Sequence, residues 1–171
     1  MGVVRFSDLG QAGDEAATGT QARLATRFRI VGGSYLSLGG EYHWLADTAG
    51  DLEFGYVRFG VGYQYRWAPH VDLGVELGAQ GQIGQEFFGT DRVTEDAEYG
   101  RLWMRNALVG GATLWTTATL GSDYLDADLR CEWPIGPPSL RLGLALAAGR
   151  MEDAGFWSVS PALRWSFGAA N

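Results

Sequence analysis

The chain contains no lysine: all thirteen of its basic residues are arginine, a composition that by itself carries no mechanism. Twenty acidic side chains outnumber them and leave a net charge of -7 at pH 7, which excludes a nucleic-acid-binding surface as the default. Cysteine is limited to Cys131, so no internal disulfide forms and no thiolate zinc site is available. Histidine is limited to His43 and His70. No run of about 18 uninterrupted apolar residues exists, which excludes a transmembrane helix. The start, MGVVRFSDLGQAGDE, lacks the charged beginning and long apolar stretch of a signal peptide. An exported protein would be represented here by its mature part with an added Met.

Glycine, in contrast, is abundant, at 26 of 171 residues, about twice its usual share of roughly 7%. Aromatics reach 13%, with seven Trp. Hydrophobic residues at 46% and charged residues at 19% exclude a disordered chain and an ordinary coiled coil. The length fits a single domain, residues 1–171, with enough chain for a sizeable core.

The dominant period between short Gly, Pro, Asp and Ser clusters is two. Leu36, Leu38, Tyr42 and Trp44 alternate with Ser37, Gly39, Glu41 and His43. Val57, Phe59, Val61, Tyr63, Tyr65 and Trp67 alternate with Tyr56, Arg58, Gly60, Gly62, Gln64 and Arg66. The same pattern sets Val75 and Leu77 against Asp72 and Glu76, and Leu125, Leu129 and Trp133 against Asp126, Asp128, Arg130 and Glu132. Leu142, Leu144 and Leu146 alternate with Arg141 and Gly143, and Trp157, Leu163 and Trp165 with Ser158 and Arg164. This predicts an all-β protein of antiparallel hairpins.

Volume decides which face points inward. A barrel of about eight strands has an interior just wide enough for side chains to fill. The apolar set is bulky, whereas the other set is small or charged, so the bulky set belongs outside, against lipid. The reading is an antiparallel up-and-down transmembrane β-barrel; a soluble barrel or sandwich with the same alternation is the alternative. The expected lumen lining is Arg23, Arg27, Arg29, Glu41, His43, Arg58, Arg66, Asp72, Glu76, Asp126, Asp128, Arg130, Glu132, Arg141 and Arg164. Arginine suits such a network because its fork of donors satisfies several carboxylates at once. Glycines on the same face (Gly39, Gly60, Gly62, Gly74, Gly78, Gly143) leave space there or relieve strain where a barrel bends. Two aromatic girdles are expected at the membrane interfaces: Tyr42, Trp44 and Trp157 on one side, and Tyr65, Trp67, Trp133, Trp165 and Phe167 on the other.

Strands are expected near 2–9, 21–31, 35–45, 53–67, 71–87, 101–109, 112–120, 124–133, 139–149 and 156–167. Connections on one side (10–20, 46–52, 88–100, 121–123, 150–155) are mostly longer and acidic. Those on the other (32–34, 68–70, 110–111, 134–139) are short. The expected count is about ten, with the chain turning at Gly110-Gly111; the alternative is eight, with 101–120 as one strand and residues 1–20 outside the sheet.

The alternating strands, the aromatic ends and the closing run WSVSPALRWSF resemble the small bacterial outer-membrane β-barrels, the group of the OmpA transmembrane domain, OmpX, OmpW and the opacity proteins. The resemblance implies a bacterial outer-membrane location, a bilayer containing lipopolysaccharide as partner, and insertion by the barrel-assembly machinery, with Phe167 as the aromatic that machinery reads. Four residues follow Phe167, a departure from the group's pattern.

Chemistry is sparse. His43 lies two residues from Glu41 on one strand face, near Asp47 and Asp51, a conceivable water-activating pair of the omptin kind. The bland reading is a hydrogen-bonded lumenal histidine, with His70 solvated in a turn. No His-x-Ser occurs, unlike the lipid A deacylase barrel. Asp126, Asp128 and Glu132 could suggest Ca²⁺, but an Arg–carboxylate network is simpler, so no metal, cofactor or nucleic acid is expected. The expected function is a non-enzymatic integral barrel, porin-like in forming a narrow pore for ion transport, or else a plugged anchor. The alternatives are a rim enzyme using His43, adhesin-like loops, or a soluble lipocalin-like barrel.

Overall fold

The computed structural model describes residues 2–7, 18–47, 50–84, 97–121, 124–137, 139–151 and 154–166. Ten antiparallel strands run in chain order: β1 Gly2–Ser7, β2 Thr18–Arg29, β3 Ser34–Asp47, β4 Gly50–Ala68, β5 Val71–Gly84, β6 Ala97–Ala107, β7 Thr113–Gly121, β8 Tyr124–Pro134, β9 Leu140–Met151 and β10 Ala154–Trp165. Each pairs with its neighbours, and β1 pairs with both β2 and β10, so the sheet closes into an up-and-down barrel. No helix among the described residues is long and apolar enough to cross a membrane, which says nothing about crossing by strands.

Ten is therefore the strand number, and two features separate it from eight: the turn at Gly110-Gly111 and the pairing of β1 into the sheet. A short 3-10 turn, Val109–Gly111, joins β6 to β7, with φ of +77° and +78° at the two glycines. That left-handed region is open to glycine at little cost, so the pair lets the chain reverse where another residue would be strained. Leu108 N–H closes the turn by donating to the Ala112 carbonyl at 2.8 Å.

One expectation about the connections is corrected. Asp47 pairs directly with Gly50, and Met151 with Ala154, so the supposed loops 46–52 and 150–155 are mostly strand. The short connection expected at 121–123 holds, with β7 ending at Gly121 and β8 beginning at Tyr124. Backbone pairing continues past the apolar band because a ladder of hydrogen bonds satisfies the main chain whatever the side-chain polarity. We call this end the loop side and the opposite end the turn side.

β1 is short, and this leaves a seam. It pairs with β2 only as far as Gln21 and with β10 only over Gly155 to Val159. Among the described residues no strand pairs with that edge of β2 beyond Gln21 or of β10 beyond Val159. Pro161 falls where β10 loses this neighbour, and proline is tolerated on edge stretches because it has no N–H to donate.

Candidate functional site

The two faces of the wall are opposite in character. Outward-pointing Leu24, Leu77, Leu102, Leu120 and Leu163 are between 63% and 80% exposed, whereas inward-pointing Glu132 and Glu76 are 0% and 1% exposed. Water-soluble proteins sort these residue types the other way. Every one of the fifteen charged or imidazole side chains expected in the lumen lies on the inward-facing register; Asp126 is buried on β8, and the other fourteen divide into three groups.

On the loop side, Glu41 is the centre. Arg23 approaches it at 2.8 Å, His43 Nε2 at 3.0 Å and Arg58 at 3.7 Å. Arg23 also reaches Asp128 on β8 at 3.4 Å, crossing the lumen. Arg58 donates to Gln80 at 3.1 Å, and its guanidinium lies 5.0 Å from the Tyr124 ring centroid. His43 is buried beside a carboxylate already facing two guanidiniums, not presented at a rim. The side chains of Asp47 and Asp51, its supposed helpers, lie outside the described residues.

Midway along the barrel, Glu76 accepts hydrogen bonds from Tyr99 Oη at 2.7 Å and Arg101 Nη1 at 2.9 Å. Arg101 also donates to Thr119 Oγ1 at 3.2 Å.

The turn-side group is built around rings. Trp103 Nε1 donates to Tyr35 Oη at 2.8 Å, and the Trp103 and Trp115 centroids are 5.5 Å apart. Arg27 lies 4.5 Å from the Trp103 centroid and 5.7 Å from that of Trp115. Arg105, Arg130 and Arg164 stand 5.3–6.0 Å from the Trp115 ring. Glu132 faces Arg130 at 3.0 Å and Arg164 at 2.8 Å, and accepts from Trp115 Nε1 at 3.2 Å. Asp72 is shared by Arg66 and Arg105, each at 3.2 Å. Arg141 donates to the Gly111 carbonyl and Thr113 Oγ1, both at 2.8 Å. Arg29, at the end of β2, lines the turn-side mouth.

β2 and β7 are five steps apart around a ring of ten strands, so Arg27 over Trp115 joins opposite walls. The lumen is thus crossed by side chains. This corrects the idea that bulky rings stay outside: Tyr35, Tyr56, Tyr99, Trp103, Trp115, Tyr124 and Phe156 all point inward and are buried. A ten-stranded lumen is wider than one of about eight strands, and only large side chains reach across it. Three of the lumenal glycines make room for those rings. A methyl group at Gly74 would collide with the Trp103 indole, one at Gly62 with Tyr35, and one at Gly60 would sit 2.6 Å from Tyr99 Oη. Their space is occupied, not open.

Arg101, Trp103 and Arg105 on β6, and Trp115 on β7, were missed from the sequence. Their alternation with Leu102, Met104 and Leu114 was a legible signal of the same kind as on the other strands.

Of the aromatics expected at strand ends, Tyr65, Trp67, Trp133, Trp157 and Trp165 point outward and are exposed. Tyr42 and Trp44 are half-buried outward neighbours with centroids 4.7 Å apart. Phe167 lies outside the described residues. Among the described residues no group of three or more His, Cys, Asp or Glu side chains is placed to hold a metal ion. Asp128 and Glu132 meet arginines.

No protein-family model matches the chain, and no curated protein matches it. Among solved structures it is similar to the β-domain of the Bordetella autotransporter BrkA, at 19% identity and a TM-score of 0.41, over 91% of this chain and 76% of that one.

Proposed function

We propose that the chain is a non-enzymatic integral β-barrel of the bacterial outer membrane whose lumen is closed by its own side chains, so that it acts as a membrane anchor and not a diffusion pore. The observation that carries this reading is the inverted polarity of the wall, with leucines outward and carboxylates inward. An apolar belt of that extent far exceeds the patches that monomeric soluble proteins leave to water. The strands from β2 to β10 have at least the 9–11 residues a tilted strand needs to cross a bilayer, or fall within that range. The outward aromatics at both strand ends fit two interfacial girdles. A bilayer with a lipopolysaccharide leaflet is the partner this reading requires, and barrel-assembly machinery the route of insertion.

Closure of the lumen rests on the contacts that join opposite walls, Arg23 to Asp128 and Arg27 to Trp115. A non-enzymatic role is supported by the packing of His43, whose carboxylate neighbour faces two arginines.

The test is refolding into detergent and then lipid vesicles, with heat-modifiable gel mobility reporting the folded barrel, followed by planar-bilayer recording. A folded, vesicle-bound protein without current steps is the expected result. Discrete, salt-dependent steps would return the narrow-pore reading, and a folded protein that stays soluble without detergent would overturn the membrane reading.

A further inference from the structure

Charge is distributed unevenly along the barrel axis. Seven of the thirteen arginines (Arg27, Arg29, Arg66, Arg105, Arg130, Arg141, Arg164) occupy inward positions toward the turn-side ends of their strands. The acids there are Asp72 and Glu132 alone, so seven positive charges against two negative leave a surplus of five in a chain whose net charge is -7. Among the described strand residues the other acids lie toward the middle or the loop side.

Both turn-side carboxylates are already shared, Asp72 between Arg66 and Arg105, and Glu132 between Arg130 and Arg164. Among the described residues Arg27 and Arg29 form no ion pair, and the buried Nε of Arg105 has no hydrogen-bond acceptor. Like charges gathered in a confined, partly desolvated space repel one another, and an added anion relieves that cost.

The place for such an anion is present. A cavity of about 320 Å³ opens at the turn-side mouth between Arg29 on β2, Arg66 on β4, and Asp72, Gln64, Tyr35 and the 32–34 turn. Asp72 does not repel an anion there unopposed, because two guanidiniums face it. Arg29 and Arg66 both line this one cavity, and the planar fork of a guanidinium suits oxyanions. We infer that this mouth is a binding site for a small multivalent oxyanion carrying phosphate or carboxylate groups. The volume is at the lower end of small-ligand pockets.

Isothermal titration calorimetry of the detergent-refolded protein tests this, with inorganic phosphate and succinate as probes at an ionic strength fixed by sodium chloride. Saturable binding is expected, weakened about tenfold or more by Arg29→Gln combined with Arg66→Gln, as loss of charge-assisted bonds predicts. Arg29→Gln alone should weaken binding, while Arg150→Gln, which removes one charge from the loop end, should leave it unchanged. Arg29 and Arg66 are exposed, so the variants keep the folded gel mobility that the measurement requires. Saturation by either probe supports the site, and their relative affinities separate phosphate from carboxylate ligands. Equal weakening by Arg29→Gln and Arg150→Gln would reduce the effect to diffuse electrostatics and overturn the proposal. Absence of saturable heat with both probes would overturn it too. Binding in detergent does not depend on vesicle insertion, so failure here and failure of the membrane reading are separately visible.

Discussion

Replacing Glu132 by glutamine keeps the side chain's shape and its acceptor for Trp115 Nε1, and removes one negative charge from the turn-side lumen. Glu132 is completely buried and faces Arg130 at 3.0 Å and Arg164 at 2.8 Å. Removing one member of a buried ion pair costs about 3–5 kcal/mol, because the partner charge stays desolvated and uncompensated. Here the two arginine side chains are 33% and 29% exposed, so water recovers part of the loss. The lower end, about 3 kcal/mol, is the expected cost, or roughly a hundredfold in the folding equilibrium. Arg164→Met removes one of the stranded cations. The double variant should therefore be more stable than the sum of the single losses by about 1 kcal/mol or more, within the usual coupling of contacting residues. Urea unfolding of the refolded barrel, followed by tryptophan fluorescence and gel mobility, measures all four corners of this cycle. A Glu132→Gln variant within about 0.5 kcal/mol of the parent, the range of a surface substitution, would refute the reasoning. Additive losses would do so as well, since Glu132 and Arg164 would then not be coupled.

Other perturbations test other layers. Gly74→Leu drives a side chain into the Trp103 indole; overpacking of this kind costs about 1–3 kcal/mol, and the urea midpoint should fall, whereas an unchanged midpoint would mean that Trp103 does not occupy that space. Leu144→Arg places a charge on the outward face and should cost about 2–4 kcal/mol of insertion free energy, read as reduced vesicle insertion; normal insertion would mean the facing is wrong. Trp115→Ala removes the ring that Arg27, Arg130 and Arg164 approach, and planar-bilayer recording should show current steps absent from the parent. A silent, folded Trp115→Ala barrel would place the closure elsewhere along the axis.

The period of two by itself determines much of this protein. Side chains on a strand point alternately to opposite faces, so Glu41 and His43 had to share one face and Tyr42 and Trp44 the other, whatever the strands' partners. The same rule, with the Gly110-Gly111 break, fits the strands from β3 to β10, and it set the inward face from the small and charged residues. The sequence could not place the ends of the hairpins: Asp47 and Asp51 look like loop residues, yet pairing carries β3 and β4 past the apolar band. Nor does alternation say how wide the closed ring is. Width depends on strand number and stagger, which are properties of the whole sheet. Only closure brought β2 opposite β7, set Arg27 against Trp115, and let Gly74 receive the Trp103 ring from the neighbouring strand. Which residues face inward is a local property of the backbone, legible from sequence. Which of them meet across the lumen depends on residues far apart in the chain, and the tertiary structure alone decided it.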